Sequence, residues 1–166
     1  MRKVFLFTLL VTALFLIVVS CNQNKSREQM VEEFRSGLTK EDTTEMLQLC
    51  KDAMEQLKAK DYKRVLASLY EYDDSTQEVK ILSSETREKY LNIFKCFPVL
   101  DYECVGYSFQ LEGCNDVKYK VTFATAEQAG TPEAPTTSFM FNPVKIDGGW
   151  KLCVKTPKDQ VDINLR

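Results

Sequence analysis

The sequence predicts an α+β domain in which N-terminal helices pack on a curved, mostly antiparallel sheet of four to five strands. Apolar residues recur at helical spacing through the first half of the chain. From Val99 onward they alternate with polar residues, as in strands with one buried face. Asp147-Gly148-Gly149 is typical of a hairpin turn near the end of this second half. The order of the two halves indicates helices first and an antiparallel meander afterwards.

The helical half contains three predicted helices and one shorter candidate. Residues 39–59 form the longest, and their apolar face carries Leu47, Cys50, Met54 and Leu57. Residues 61–70 form the second, and the third starts at Ser83 or Ser84 and ends before Pro98. Residues 27–36 could add a short helix, whereas residues 78–82 could be a short strand or a loop.

The β half shows two places where the alternation changes. Near Val105-Gly106 the apolar set moves from even to odd positions, which predicts a β-bulge. At Pro143 it moves again, so we expect Val144 and Ile146 to take over the inward face from Phe139 and Phe141. On the last strand Trp150, Leu152 and Val154 share a face, and Cys153 is predicted to point away from it.

The N-terminus has the features of a secretion signal. Arg2 and Lys3 precede an apolar run from Val4 to Val19, which is shorter than the roughly 20 residues of a spanning helix. The segment Val18-Val19-Ser20-Cys21 resembles the bacterial lipobox. That resemblance implies a signal peptide over residues 1–20, cleavage before Cys21, and lipid on the Cys21 thiol that anchors the chain to the membrane. Because Asn22 follows the cysteine, lipoprotein sorting rules favour the outer membrane, and we expect its periplasmic face.

The mature chain would then have two parts. Residues 21–38 are a lipid-anchored tether that could be partly helical, and residues 39–166 are a single α+β domain. Cleavage leaves 20 basic against 24 acidic residues, a net charge of about −4. Since no basic stripe is present to neutralise phosphates, nucleic acid is not an expected partner.

Five cysteines remain once Cys21 carries lipid, so at least one thiol has no partner within the chain. Cys104 and Cys114 are the closest in sequence and are a candidate disulfide, although spacing does not determine connectivity. For Cys50 a buried, reduced thiol is favoured. The chain has no histidine and no Cys-x-x-Cys motif, so no metal site is predicted, and no cofactor is expected either.

The order of elements resembles the nuclear-transport-factor-two-like, or cystatin-like, cone fold, and especially its small uncharacterised lipoproteins. The resemblance covers residues 41–156 and includes Leu57-Lys58-Ala59-Lys60-Asp61-Tyr62 and Asp147-Gly148-Gly149-Trp150-Lys151-Leu152. It implies a space between the helices and the concave side of the sheet. The aromatic residues predicted to face that space, as pocket or as core, are Tyr102, Tyr119, Phe139, Phe141 and Trp150.

Two classes of function stay open at this point. The favoured one is a non-catalytic module that binds a small apolar ligand or a protein partner, with a homodimer as one form of the latter. The alternative is a small lyase or isomerase of the cone type, in which a buried carboxylate works with a tyrosine. The sequence has no phosphate-binding glycine loop, no Gly-x-Ser-x-Gly and no His-Glu-x-x-His, which favours the module over the enzyme.

Overall fold

The computed structural model describes residues 25–154, apart from residues 74 and 112. Residues 1–20, the predicted signal peptide, and Cys21 therefore lie outside the described residues. The described helices are α1 (Arg27–Ser36), α2 (Lys40–Lys58), α3 (Tyr62–Ser68), α4 (Ser84–Cys96) and α5 (Ala126–Ala129). The strands are β1 (Leu69–Asp73), β2 (Glu78–Ile81), β3 (Asp101–Ser108), β4 (Asp116–Thr122), β5 (Thr136–Ile146) and β6 (Gly149–Val154). Among the described helices, none is both long enough and apolar enough to cross a bilayer.

The α+β class is confirmed, but the sheet differs from the prediction. It has six strands in the order β2-β1-β6-β5-β4-β3, so the expected four to five is too low. β1 pairs with β6 in parallel and the other pairs are antiparallel, which makes the sheet mixed. The missed strand is β1, because Leu69 follows Ser68 directly and continues the apolar spacing of α3. Its pairing with β6 is non-local and leaves no signal in the local sequence.

The helices begin where the sequence places their caps. Thr39 and Asp42 form a capping box at the start of α2, and the Ser83 hydroxyl accepts from the Thr86 amide at the start of α4. The helix predicted within the tether is present as α1, with Ser26 as its cap, and none of its side chains is buried. Its Arg35 donates to the Phe109 carbonyl at 2.6 Å, which fastens α1 to the end of β3.

The main core lies between one side of the sheet, here called the helix side, and α2, α3 and α4. The strands contribute alternating residues, as predicted for period two. The helices contribute their apolar faces. The buried members are Cys50, Ala53, Met54, Leu57, Val65, Leu66, Leu69, Leu82, Phe94, Val99, Val117, Tyr119, Val121, Phe139, Phe141, Leu152 and Val154.

The predicted bulge is confirmed, but the predicted phase change at Pro143 is wrong. The register of β3 on β4 shifts between Cys104 and Gly106. β5, in contrast, pairs with β6 without interruption from Phe141 to Ile146. The Pro143 carbonyl accepts from the Asn115 side chain at 2.9 Å, on the side where the β4 ladder has already ended. Because N and O of one strand residue point to the same side, the missing N–H of Pro143 removes no ladder bond.

A second, smaller cluster covers the opposite side of the sheet. Tyr72, Val144 and Cys153 are buried there, with Tyr70, Val79 and Ile146 packed around them. The loop between β3 and β4 folds over this cluster, because the Asn142 side chain donates to the Gly113 carbonyl at 2.7 Å. A Cβ on Gly113 would collide with the Tyr72 ring. Because Cys153 belongs to this cluster, its side chain points away from the face that Trp150 occupies, as predicted.

Gly113 and Gly130 give a matched test of this close approach. Both have positive φ, +81° and +64°, but only Gly113 lies against another residue. Gly130→Ala should cost about 1 kcal/mol from backbone strain alone. Gly113→Ala should cost about 1–3 kcal/mol more, because the Tyr72 ring must move. Urea denaturation of both variants measures the difference, and equal losses would show that Tyr72 does not pack on Gly113.

Candidate functional site

Three of the five predicted aromatic residues, Tyr119, Phe139 and Phe141, come together as part of a packed core. Tyr119, Phe139 and Phe141 are 3%, 8% and 3% exposed on the helix side of β4 and β5. Phe94 of α4 lies 5.8 Å from Phe139 between ring centroids, and Tyr119 lies 6.2 Å from Phe141. Aromatic pairs at these distances stabilise a core beyond the area that they bury. Their rings contact one another and the apolar faces of the helices.

The surface hollows lined by described residues include two that lie away from this core. One of about 300 Å³ is lined by Tyr72, Gln77, Val144, Lys145, Ile146 and Asp147 near the β5–β6 hairpin. Another of about 520 Å³ lies on the outer side of α2, along Lys40, Glu41, Thr44, Glu45, Gln48, Leu49 and Asp52. Neither contains any of the five predicted aromatic residues.

Tyr102 lies at the margin of the core, where α2 meets β3. Its hydroxyl donates to Glu55 Oε1 at 2.6 Å, and the Lys58 ammonium lies 5.8 Å from its ring centroid. Lys58 also pairs with Asp101 at 3.0 Å. Burial, followed by the bond to Glu55, raises the pKa of Tyr102 above its usual value of 10.0, so the phenol stays protonated. The Tyr102–Glu55 hydrogen bond therefore holds the C-terminal end of α2 against β3, at the edge of the sheet.

Trp150 takes part in a polar cluster that the sequence did not reveal. Its indole N–H donates to Asp42 Oδ1 at 2.9 Å, and the Lys145 ammonium donates to the same oxygen at 2.8 Å. The other carboxylate oxygen accepts from the amide and hydroxyl of Thr39, at 3.1 and 3.0 Å. The bond from Lys145 first, and then those from Thr39 and Trp150, hold the pKa of Asp42 well below its usual 3.8. A nearly buried charge is fully hydrogen-bonded here.

The acidic turn after β1 is a structural turn. The side chain of Asp73 accepts from the Ser75 hydroxyl at 2.6 Å, from the Ser75 amide at 3.0 Å and from Lys80 at 3.3 Å. The hydroxyl and amide of Ser75 lower the pKa of Asp73 to about 2. These bonds close the β1–β2 hairpin as an Asx turn does. Asp74, the next residue in the turn, lies outside the described residues.

The structure does not bring Cys104 and Cys114 together. Cys104 pairs with Tyr119 across β3 and β4, whereas Cys114 precedes the first residue of β4 and its neighbour Asn115 binds the Pro143 carbonyl. Four residues of extended chain from Asn115 to Tyr119 span about 13 Å, well beyond the 7 Å limit for Cα atoms of a disulfide. Cys50 is buried, and burial raises the pKa of its thiol to about 12. Among the described residues, no group of three or more acidic or cysteine side chains is placed to hold a metal ion.

Two exposed apolar side chains lie on β3, the longest edge strand of the described sheet. Val105 is 49% exposed and Tyr107 is 54% exposed, and the Tyr107 ring lies 5.1 Å from that of Phe109. Because β3 is the last strand in the sheet order, its outer edge faces no other described strand. The change of alternation predicted the bulge at Val105-Gly106 but not the exposure of Val105 and Tyr107.

Comparison with known proteins gives no family. No protein-family model and no curated protein matches the sequence. A crystal structure described as an NTF2-like transpeptidase from Campylobacter jejuni is 17% identical, with a TM-score of 0.40. The match covers 65% of this chain and 96% of that one. At this TM-score the similarity assigns neither a family nor an activity.

Asp42→Asn should destabilise the protein by about 2–3 kcal/mol at pH 7, because its partners lose hydrogen bonds to a charged group. Asp52→Asn on the exposed side of α2 is the control and should change stability by less than about 0.5 kcal/mol. The extra unfolding free energy of the wild type over Asp42→Asn is complete above the usual Asp pKa of 3.8. It is lost as the pH falls below that value, since unfolding then takes up a proton.

Urea denaturation at pH 7 and pH 3, followed by the fluorescence of the single tryptophan, measures both effects. If the wild type exceeds Asp42→Asn in unfolding free energy by the same amount at both pH values, the lowered pKa of Asp42 is contradicted.

Proposed function

We propose that the protein is a lipid-anchored bacterial lipoprotein whose α+β domain is a non-catalytic protein-interaction module. The observation that carries the proposal is a contrast within the sheet. Tyr119 and Phe141 are each 3% exposed, whereas Val105 and Tyr107 on the edge strand are about half exposed. An apolar surface on an unpaired strand is typical of a site that receives a partner.

The packed interior supports a protein partner over a small apolar ligand. A ligand between helices and sheet would have to displace Tyr119, Phe139 or Phe141 from contacts with α2 and α4. Core aromatic residues are worth about 3–5 kcal/mol each when they are removed. The cone-like order of elements remains compatible with this use of the domain, with its interior serving as core.

The charges support a module over an enzyme. A general acid of the cone type needs a carboxyl group whose pKa is raised by burial in a cavity. The described carboxyl groups with clearly shifted pKa values are all shifted downward, namely Glu28, Asp42, Glu71, Asp73 and Asp101. The carboxylate that contacts Tyr102 belongs to Glu55, which is exposed.

The anchor is proposed from the sequence at Cys21. Arg2 and Lys3, the apolar run to Val19 and the Ser20-Cys21 junction together supply the charged, apolar and small-residue parts of a lipoprotein signal. Several acyl chains on one residue give stable anchoring, because each buried methylene contributes about 0.8 kcal/mol. α1 begins soon after this point, so only a short segment separates the proposed anchor from the fold.

Cys21→Ser should abolish lipid attachment, and Cys96→Ser is a matched control because Cys96 is exposed at the end of α4. Expressed in a bacterium with labelled fatty acid, the wild type and Cys96→Ser should carry label and enter the detergent phase on phase separation. Cys21→Ser should carry none, and its intact mass should lack the diacylglyceryl group. Label that persists in Cys21→Ser would refute the anchor.

A further inference from the structure

Among the described strands, β3 forms the longer of the two edges of the sheet. It spans eight residues, Asp101–Ser108, whereas the opposite edge, β2, spans four. Val105 near the centre of β3 is 49% exposed, and Tyr107 near its end is 54% exposed. A long edge with apolar side chains is a template for pairing with a further strand, unless charge or shape prevents it.

The bulge changes which residues of β3 share a side. Before it, Tyr102 lies opposite Val121 and faces the helix side. After it, Tyr107 lies opposite Val117 and faces the same side, although the two tyrosines are five positions apart, an odd number. Asp101, Glu103, Gly106 and Ser108 occupy the other side, since their partners are Thr122, Lys120, Lys118 and Asp116.

This pattern makes β3 complementary to a second, antiparallel copy of itself. When Tyr102 is placed opposite Tyr107 of the other copy, Glu103 lies opposite Gly106 and Asp101 opposite Ser108. In each of these three pairs both residues lie on the same side of the sheet, and no two acidic residues face each other. A pairing centred on Tyr102 instead places Asp101 opposite Glu103, and like charges directly opposite are destabilising. A pairing centred on Glu103 places Glu103 opposite itself.

We propose that two copies of this chain pair through their β3 edges, antiparallel and with Tyr102 opposite Tyr107, so that the two sheets become continuous. The inference rests on the proposed interaction module and names its partner as a second copy. Two tyrosine pairs form on the helix side, where Tyr102 already packs on Tyr119 at 5.6 Å between centroids. Aromatic cross-strand pairs contribute about 0.2–1 kcal/mol each.

Edge pairing over eight residues is a small interface, below the roughly 1,600 Å² of a standard one. Lipid anchorage compensates, because it confines both copies to one surface and raises their effective concentration. The pairing is therefore expected in membranes and is weakened in the Cys21→Ser variant.

The register is tested by disulfide trapping in membranes of cells that express the full-length lipoprotein. Cys96, Cys104 and Cys114 are changed to serine, and Asp101→Cys and Ser108→Cys are introduced in separate copies. Co-expressed, they should give a cross-linked dimer on a non-reducing gel after mild oxidation, because opposite Cα atoms lie about 5 Å apart. Either variant alone should give at least tenfold less, because its two cysteines lie roughly 20 Å apart.

The edge itself is tested by adding Val105→Lys to both copies, since an edge lysine blocks strand addition. The cross-link should disappear. Ile81→Lys, at the 74% exposed position on β2, is the matched control and should leave it unchanged. Thermal melts by circular dichroism check that both lysine variants fold.

Three outcomes would overturn the pairing: no cross-link from the mixture, equal cross-linking from Asp101→Cys alone, or equal loss in Ile81→Lys and Val105→Lys. If the mixture gives no cross-link while the protein still carries labelled lipid, self-pairing fails and the anchored lipoprotein stands. Loss of both lipid and cross-link would also refute the proposed function.

Discussion

The carboxylate of Asp42 is the interaction on which the arrangement of helices and sheet depends. It caps α2 through Thr39 and binds Lys145 and Trp150 on the two strands of the last hairpin. α2 is thereby fixed at its N-terminal end, and Tyr102 and Lys58 hold its C-terminal end near β3. The Lys58–Asp101 pair is exposed and is worth little alone. Asp42 is nearly buried, so each of its bonds is stronger and the loss of any partner is more costly.

A helix held at both ends closes the space between it and the sheet. Cys50, Met54 and Leu57 on the inner face of α2 are fully buried and fill the space between this helix and the sheet. On the opposite side, the β3–β4 loop and Tyr72 cover the second cluster. Both sides of the central strands are thus occupied, whereas Val105 and Tyr107 on the β3 edge stay about half exposed. The proposed interaction site therefore lies at this edge and outside the packed interior.

Local signals in the sequence predicted the parts of the fold that local physics determines. Helical spacing identified α2 and α4, and the change of alternation identified the bulge before Gly106. The two-residue alternation of the last strand predicted that Cys153 and Trp150 face opposite sides of the sheet. Contacts between residues that are distant in sequence were not predicted. The partners of Asp42 are 103 and 108 residues away in sequence, and no local pattern marks them. The helix predicted over residues 61–70 includes the first two residues of β1, because the parallel partner of this strand, β6, is distant in sequence. The break predicted at Pro143 is absent, because the end of the β4 ladder is not visible in the sequence.

Native mass spectrometry of the full-length protein, ejected directly from intact membrane vesicles without detergent, tests most directly whether the interior is core and the β3 edge is the site of interaction. We expect a dimer whose mass equals two lipid-bearing chains, with no additional small molecule released on denaturation. A monomer that loses a bound small molecule on denaturation would contradict it, because the ligand would then occupy the space that Tyr119, Phe139 and Phe141 fill.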